Sequence, residues 1–252
     1  MSQYLYAEEK DSDYENFYAT CPYCGFRNIF NRVTDLATTA PISFMAIRCL
    51  NDECGQNFNI NADTANAAYE MLIYDCHELI KKKKYSYCIL NLAQAHEVFF
   101  ALFLNIKLAF NPFNREMDSI SDLDKALSRL YEKTKKCTYY TMRNIFFNLI
   151  VNNVAPTTIS DALEVINNIP SMRANLPKSE FEKIEDEELK AVLLRIDSCM
   201  ISKLRNDVVH KMAYRPSLDE VEKALEETKG NIFPVSKMLG VLVDDASWYL
   251  NR

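Results

Sequence analysis

The stretch "YSYCILNLAQAHEVFFALFLNIKLAF", residues 85–110, decides the fold because its apolar residues leave almost no polar face. A helix that is apolar nearly all round must be buried on most sides, so we expect this segment at the centre of a helical core. Pro112 is expected to end the helix. Within it, the longest apolar stretch, "VFFALFLNIKLAF" (98–110), is interrupted by Asn105 and Lys107 and is expected to be too short to span a bilayer.

The composition of the rest of the chain also favours helices. Its 252 residues are 48% hydrophobic and 25% charged, which is ordinary for a soluble globular protein. Four glycines and eight prolines are too few for the many turns of a sandwich or barrel. The fold class predicted is mainly α, an antiparallel bundle with four or five core helices. Helical periodicity places the other helices at 61–84, 119–136, 139–153, 158–169, 185–212, from Ser217 onward, and 234–250.

Two local patterns predict where helices begin and end. Ser121 and Asp124 have the spacing of a capping box at the start of one helix, and Ser217 and Glu220 have it at the start of another. Pro216 is expected to stop the long helix before it.

Four of the eight cysteines form two pairs near the amino terminus, in "CPYCG" (21–25) and "CLNDECG" (49–55). A glycine follows the second cysteine of each pair, which is typical of the tight turns that direct thiolates at a metal. The pattern predicts one structural Zn²⁺, and iron could occupy the same ligands. A disulfide pair or buried free thiols are the alternatives. The four ligands would be Cys21, Cys24, Cys49 and Cys54.

The segment between the two cysteine pairs contains short apolar and β-branched runs on either side of a polar turn. We interpret residues 26–48 as a hairpin, so that residues 1–60 form a small β zinc ribbon before a helical domain at 61–252. About 60 residues bury too little surface to fold without the metal. The other four cysteines lie in helical patterns and are interpreted as small core residues.

The net charge of −6 does not indicate a nucleic-acid-binding protein, so such a function would need a local basic patch. "KKKK" at 81–84 and the stretch from Lys125 to Arg143 are two candidates, and both can also be solvated helix faces. The acidic first residues lack the apolar region of a secretory signal. We therefore expect a cytoplasmic protein, away from membranes, with reduced cysteines.

The stretch "KLRNDVVHKMAYRPSLDE", residues 203–220, carries the candidate chemistry. On a straight helix Arg205 and His210 point about 140° apart, whereas Asn206 and His210 share a face. A site that uses both the arginine and the histidine is easier to build where two copies of the helix meet in a two-fold dimer. Imidazole can move the protons of RNA cleavage, and a guanidinium can hold the phosphate.

"LRNDVVHK" (204–211) followed by "RPSLDEVEKAL" (215–225) resembles the signature of HEPN domains (higher eukaryotes and prokaryotes nucleotide-binding). That signature is R-x4–6-H, often with Asn directly after the arginine. The upstream segment "NLAQAHEVFFALFL" (91–104) is similar to the family's core helix, in which an acidic or polar residue faces the motif helix. Here that residue is Glu97.

The resemblance implies a dimeric helical bundle in which two motifs form a composite ribonuclease site. It implies that Arg205 and His210 are catalytic, that Asn206 supports them, and that Glu97 orients Arg205 or contacts its partner. It extends over residues 61–252, with an apparent insertion around 111–180. His96 and His77 are interpreted as structural.

Many HEPN proteins are toxins or effectors of anti-phage and abortive-infection systems, which implies RNA as substrate and an antitoxin or defence protein as a possible partner. Some have a tyrosine two residues after the histidine that a partner enzyme modifies, but this chain has Met212 there, with Tyr214 two residues later. A metal-independent endoribonuclease is the first hypothesis. A non-catalytic module that binds RNA or a protein is the second, and a DNA-binding regulator, which the acidic charge disfavours, is the third.

Overall fold

The structure is a computed structural model, and the chain divides into two compact units with the boundary between Ala67 and Ala68. The residues that it describes are 16–31, 35–36, 45–60, 67–116 and 120–241. The first unit contains short strands and the second is helical, so the predicted mainly α class with a small β region before it is confirmed.

The first unit contains two antiparallel hairpins. β1 (Asn16–Thr20) pairs with β2 (Arg27–Asn31), and β3 (Met45–Arg48) pairs with β4 (Asn57–Ile60). Each pair of cysteines forms the turn of one hairpin, because its tight loop reverses the chain between two strands. The predicted hairpin at 26–48 is therefore wrong, since β2 and β3 belong to different sheets.

A small apolar cluster underlies the two cysteine turns. Alternate residues of β4 point inward, with Phe58 and Ile60 buried and Asn57 and Asn59 exposed, as expected for strands with one covered face. Cysteines are part of this cluster, so the thiols and the apolar core are packed as one body. Its buried members are Ala19, Cys21, Phe30, Ile47, Cys49, Phe58 and Ile60.

The second unit is built from helices of moderate length joined by short connections. Their bounds are α1 (Ala68–Lys81), α2 (Tyr85–Asn105), α3 (Asn111–Glu116), α4 (Ile120–Thr134), α5 (Tyr139–Val151), α6 (Ile159–Asn168), α7 (Glu187–Ser198), α8 (Ile201–His210) and α9 (Leu218–Met238). A π turn at Ile106–Phe110 joins α2 to α3, and 3-10 turns lie at Ile169–Arg173 and Lys178–Lys183.

α2 lies at the centre of this unit and packs against α1, α5, α8 and α9. Ten of its side chains are buried, which agrees with the central position predicted from its apolar sequence. On α5, Phe146 lies with its ring centroid 4.8 Å from that of Phe103 and 5.0 Å from that of Phe100. α5 falls within 111–180, so part of this segment contributes to the core, and its status as an insertion stays a prediction.

The helix that begins with α2 does not end at Pro112. It continues through the π turn and α3 to Glu116, because the wider turn changes the hydrogen-bond register directly before the proline, which has no N–H. In that turn the Asn111 N–H donates to the Ile106 carbonyl.

The continuous helical segment Tyr85–Phe113 is long and apolar enough, by length and composition alone, to cross a membrane. The stretch 98–110 is therefore part of a longer apolar helix. Its apolar side chains are mostly buried against neighbouring helices of the same unit, as in the core helix of a soluble protein, which is compatible with the predicted location.

The long helix predicted at 185–212 is two helices, α7 and α8. Cys199 is extended (ψ 144°) and separates them. The Met200 N–H donates to a carboxylate oxygen of Glu227 at 2.9 Å, and the Cys199 thiol lies 3.2 Å from the Tyr139 hydroxyl. These contacts come from α9 and α5, so the local sequence pattern gave no sign of the break.

Of the predicted helix starts, one is confirmed and one is wrong. Ser217 and Glu220 form a capping box at the start of α9. Ser121 lies inside α4, which begins at Ile120, so it cannot be the cap. α9 runs through Pro234, so no separate helix begins there, and the rest of the segment predicted at 234–250 lies mainly outside the described residues.

Phe146 tests the aromatic core. Phe146→Ala should lower the free energy of unfolding by about 3–5 kcal/mol, because the fully buried ring leaves a cavity among other rings that cannot collapse to fill it. Tyr131→Ala is the matched control, since Tyr131 is a mostly exposed aromatic residue on α4. Urea denaturation measures both variants, and equal small losses would contradict the assigned packing.

Candidate metal centre and Arg205 cleft

The four predicted metal ligands lie together at the tips of the two hairpins. Their sulfur atoms all lie within 4.8 Å of one another, with Cys21 3.8 Å from Cys54 and Cys24 3.7 Å from Cys49. Four sulfurs about 2.3 Å from a tetrahedral Zn²⁺ are separated by about 3.8 Å, whereas a disulfide would need about 2.05 Å. The four cysteines can therefore hold a metal ion, and all eight cysteines, which lie within the described residues, are free thiols.

The two cysteine turns share one backbone shape despite their different spacings. Gly25 (φ 72°) and Gly55 (φ 56°) adopt left-handed conformations that favour glycine. The Gly25 N–H donates to the Cys21 carbonyl, and the Gly55 N–H donates to the Asn51 carbonyl. Asn51 therefore takes the place in the second turn that Cys21 has in the first, which explains how a C-x4-C spacing reaches the same geometry.

Asn28 joins the two cysteine turns. Its side chain is fully buried, and its Nδ2 donates to the carbonyls of Ala19 and Phe26 at 3.1 Å each. Its Oδ1 accepts a 2.7 Å bond from the N–H of Leu50, directly after Cys49. One amide therefore fixes both loops, and sequence reasoning missed it because Asn28 lies in a strand, outside the cysteine motifs.

The thiols have different electrostatic environments in the absence of a metal. The backbone N–H of Phe26 lowers the pKa of Cys24 to about 7, whereas burial raises the pKa of Cys49 to about 12. Asn51 also directs its Nδ2 at the Cys24 sulfur, at 3.8 Å. A bound cation favours the thiolate form of all four ligands, so metal binding would release protons.

Asn28→Ala should weaken metal binding by about 10- to 100-fold, because an outer partner that orients the ligands is lost while all four cysteines remain. Asn59→Ala is the control, since Asn59 is an exposed asparagine on β4. Competition with a chromogenic chelator measures the affinities. Equal affinity in the two variants would contradict the positioning role of Asn28.

α8 positions Arg205 and Asn206 at the surface of the helical unit. Ile201 and Leu204 are buried and anchor the helix, and α8 packs against α2. Arg205 and Asn206 are half-buried, and the Arg205 Nη1 donates to the Asn206 Oδ1 at 3.2 Å. The guanidinium is thus held in part by its neighbour, with other donors left to bind a ligand.

Glu97 on α2 lies close enough to Arg205 to interact with it electrostatically. Burial raises the pKa of the Glu97 carboxyl, and the positive charge of Arg205 opposes that rise. Glu97 and Arg205, which the family resemblance pairs, therefore interact electrostatically between two different helices.

A cleft of about 150 Å³ opens beside Arg205, between α2, α8 and the first turn of α5. We call it the Arg205 cleft. Tyr140 is 44% exposed, and its hydroxyl donates to the Ser202 Oγ at 3.2 Å across the cleft. The lining residues are Ala93, Thr138, Tyr139, Tyr140, Ser202, Arg205 and Asn206.

His210 is not part of this cleft. It is the last residue of α8, it is exposed, and it is followed by Lys211, which forms a 2.6 Å ion pair with Asp207. A single chain therefore brings Arg205 and Asn206 together, with Glu97 in electrostatic range of Arg205, but leaves His210 outside the cleft.

The second basic stretch is interrupted at its end. Arg143 is buried and forms a 3.2 Å ion pair with Asp197, and its guanidinium lies 5.2 Å from the ring centroid of Tyr140. The basic surface predicted from Lys125 to Arg143 therefore loses its last member. Arg143 instead supports the aromatic side of the Arg205 cleft.

The other two histidines differ in environment. His77 on α1 is exposed. His96 is fully buried, its Nδ1 lies 2.9 Å from the Leu92 carbonyl, and burial lowers its pKa to about 4. It is neutral at physiological pH, as expected for a histidine of the core.

A comparison with known proteins finds no family model, no curated protein and no solved structure that matches this chain. The resemblance to HEPN domains stays a prediction that depends on the residues alone.

The closeness of Glu97 to Arg205 can be measured. Arg205→Ala should move the titration midpoint of the Glu97 carboxyl upward, because the guanidinium charge lowers the pKa of that carboxyl. Lys211→Ala is the control, since Lys211 is paired with Asp207. Carboxyl carbon chemical shifts followed against pH give the midpoints, and an unchanged midpoint in Arg205→Ala would contradict the arrangement.

Proposed function

We propose that the chain is a metal-independent endoribonuclease of the HEPN type that acts as a homodimer. The observation that carries the proposal is the presence of Arg205 and Asn206 at one cleft, with Glu97 in electrostatic range of Arg205 and His210 exposed on the same helix as Arg205. These are the residue types that cleavage of a phosphodiester by acid–base chemistry needs. A toxin or anti-phage effector is the biological role that fits such an activity.

The reaction uses the neighbouring 2′-hydroxyl of the RNA as nucleophile. His210 of one copy accepts its proton while the oxygen attacks phosphorus, and the bond from phosphorus to the 5′-oxygen breaks. His210 of the other copy, in its protonated form, donates a proton to that leaving oxygen. Arg205 holds the phosphate oxygens, whose negative charge increases in the transition state, and Asn206 keeps its guanidinium in place.

A dimer would supply what one chain lacks. Arg205 and His210 point in different directions from α8, so a second copy of the helix is needed to bring an imidazole to the phosphate. Two apolar residues beside His210 are exposed, Val209 at 48% and Met212 at 99%. A dimer interface at this end of α8 would cover both side chains.

The metal in this proposal is Zn²⁺ with a structural role. Four thiolates complete a tetrahedral coordination shell and leave no position open for a substrate or water. The zinc would hold the two hairpins together, and the cleavage step would occur without it.

A non-catalytic module that binds RNA or a protein partner is the alternative. The separation of His210 from the Arg205 cleft within one chain favours it. Such a module would keep its affinity for RNA when His210 is replaced, and it would leave RNA intact.

His210→Ala should reduce cleavage of a single-stranded RNA by about 100- to 10,000-fold, because the group that transfers the proton is lost. His77→Ala is the matched control, since His77 is an exposed histidine on α1. Gel analysis of labelled RNA in magnesium-free buffer gives the rates, and induced expression tests toxicity in parallel. RNA cleaved equally by both variants, or left intact by the wild-type chain, would contradict the proposal.

A further inference from the structure

We infer that the Arg205 cleft is a base subsite, which takes one pyrimidine ring of an RNA strand beside the phosphate that Arg205 holds. The inference rests on the proposed function for the identity of its ligand. It adds a substrate preference that the R-x4–6-H motif does not contain.

The size of the cleft sets the size of its occupant. At about 150 Å³ it matches cavities that accept one benzene-sized ring, and it is well below the 300–1,000 Å³ of sites that enclose drug-sized molecules. A pyrimidine has one ring, whereas the two fused rings of a purine need more room. The volume therefore favours uracil or cytosine.

Tyr140 offers a surface on which a base can stack. Its neighbours hold the ring in place: Tyr139 meets it edge-on at 5.7 Å between centroids, and the Arg143 guanidinium lies 5.2 Å from its centroid. The Tyr140 hydroxyl bond to Ser202 fixes the rotation of the ring. A fixed aromatic ring loses little entropy when a base stacks on it.

The polar groups of the cleft are placed for the edge of a base and for its phosphate. Thr138, Ser202 and Asn206 line the cleft. The Ser202 hydroxyl accepts from Tyr140 and the Asn206 Oδ1 accepts from Arg205, so the Ser202 O–H and the Asn206 N–H groups can donate to the carbonyl groups of a base. Arg205 lines the same cleft, so a phosphate that it holds lies next to the base. Proteins that recognise single-stranded RNA combine stacking on aromatic rings with hydrogen bonds of this kind.

Binding of fluorescent oligouridylate and oligoadenylate tests the subsite separately from cleavage. The protein is the full-length His210→Ala chain, which leaves the RNA intact, and anisotropy measures affinity. Oligouridylate should bind more tightly than oligoadenylate. Tyr140→Ala, added to this background, should weaken oligouridylate binding by about 10- to 100-fold, because the stacking surface is lost.

Two further variants separate stacking from folding. Tyr140→Phe keeps the ring and should keep most of the affinity. Ala93→Leu keeps Tyr140 but adds bulk to the wall of the cleft, so it should remove the preference for uridine. Because Ala93 is buried, thermal unfolding checks that this variant is folded. Tyr87→Ala in the same background is the control, since Tyr87 is a 63% exposed tyrosine on α2. It should bind oligouridylate with the affinity of the His210→Ala chain.

Equal affinities for the two RNAs, unchanged by Tyr140→Ala and by Ala93→Leu, would overturn the inference. If the wild-type chain still cleaves RNA in that case, only the subsite fails and the proposed function stands. If the wild-type chain leaves RNA intact but oligouridylate binding depends on Tyr140, the nuclease proposal fails and the subsite is supported.

Discussion

Burial of α2 on several sides is the constraint on which the helical unit depends. Because α1, α5, α8 and α9 all pack against it, the position of each is set by the shape of this one helix. The same packing gives α2 its place in the candidate site, where Ala93 lines the Arg205 cleft and Glu97 interacts with Arg205. His96, between these residues, is fully buried and neutral and therefore belongs to the core.

The break between α7 and α8 is the second determinant of the site. Glu227 on α9 accepts the Met200 N–H, so α8 begins as a separate helix with its own direction. If α7 continued without a break, Arg205 and Asn206 would lie on a longer helix that lacks this contact with α9. A carboxylate of α9 thus holds the first residue before the helix that carries the arginine of the motif.

The sequence predicted some of these features well. The apolar character of 85–110 predicted a central helix, and the spacing of cysteines and glycines predicted a four-thiol cluster, because both signals are local and depend on few other residues. Contacts between distant elements were missed. The hairpins formed at the cysteine turns because strand pairing is decided by the whole small core. Pro112 lies within the helix because a π turn precedes it, and no local sequence pattern predicts that turn. Tyr140 and Asn28 were missed because their roles exist only once separate elements meet.

The chemical nature of the RNA ends left by cleavage tests the account most directly. Purified chain is incubated with a defined RNA in magnesium-free buffer, and mass spectrometry identifies both new ends. Attack by the 2′-hydroxyl predicts a 2′,3′-cyclic phosphate and a 5′-hydroxyl, and a single 2′-deoxy substitution at the cleaved position should block the reaction there. A 5′-phosphate with a 3′-hydroxyl, or cleavage at the 2′-deoxy position, would contradict it.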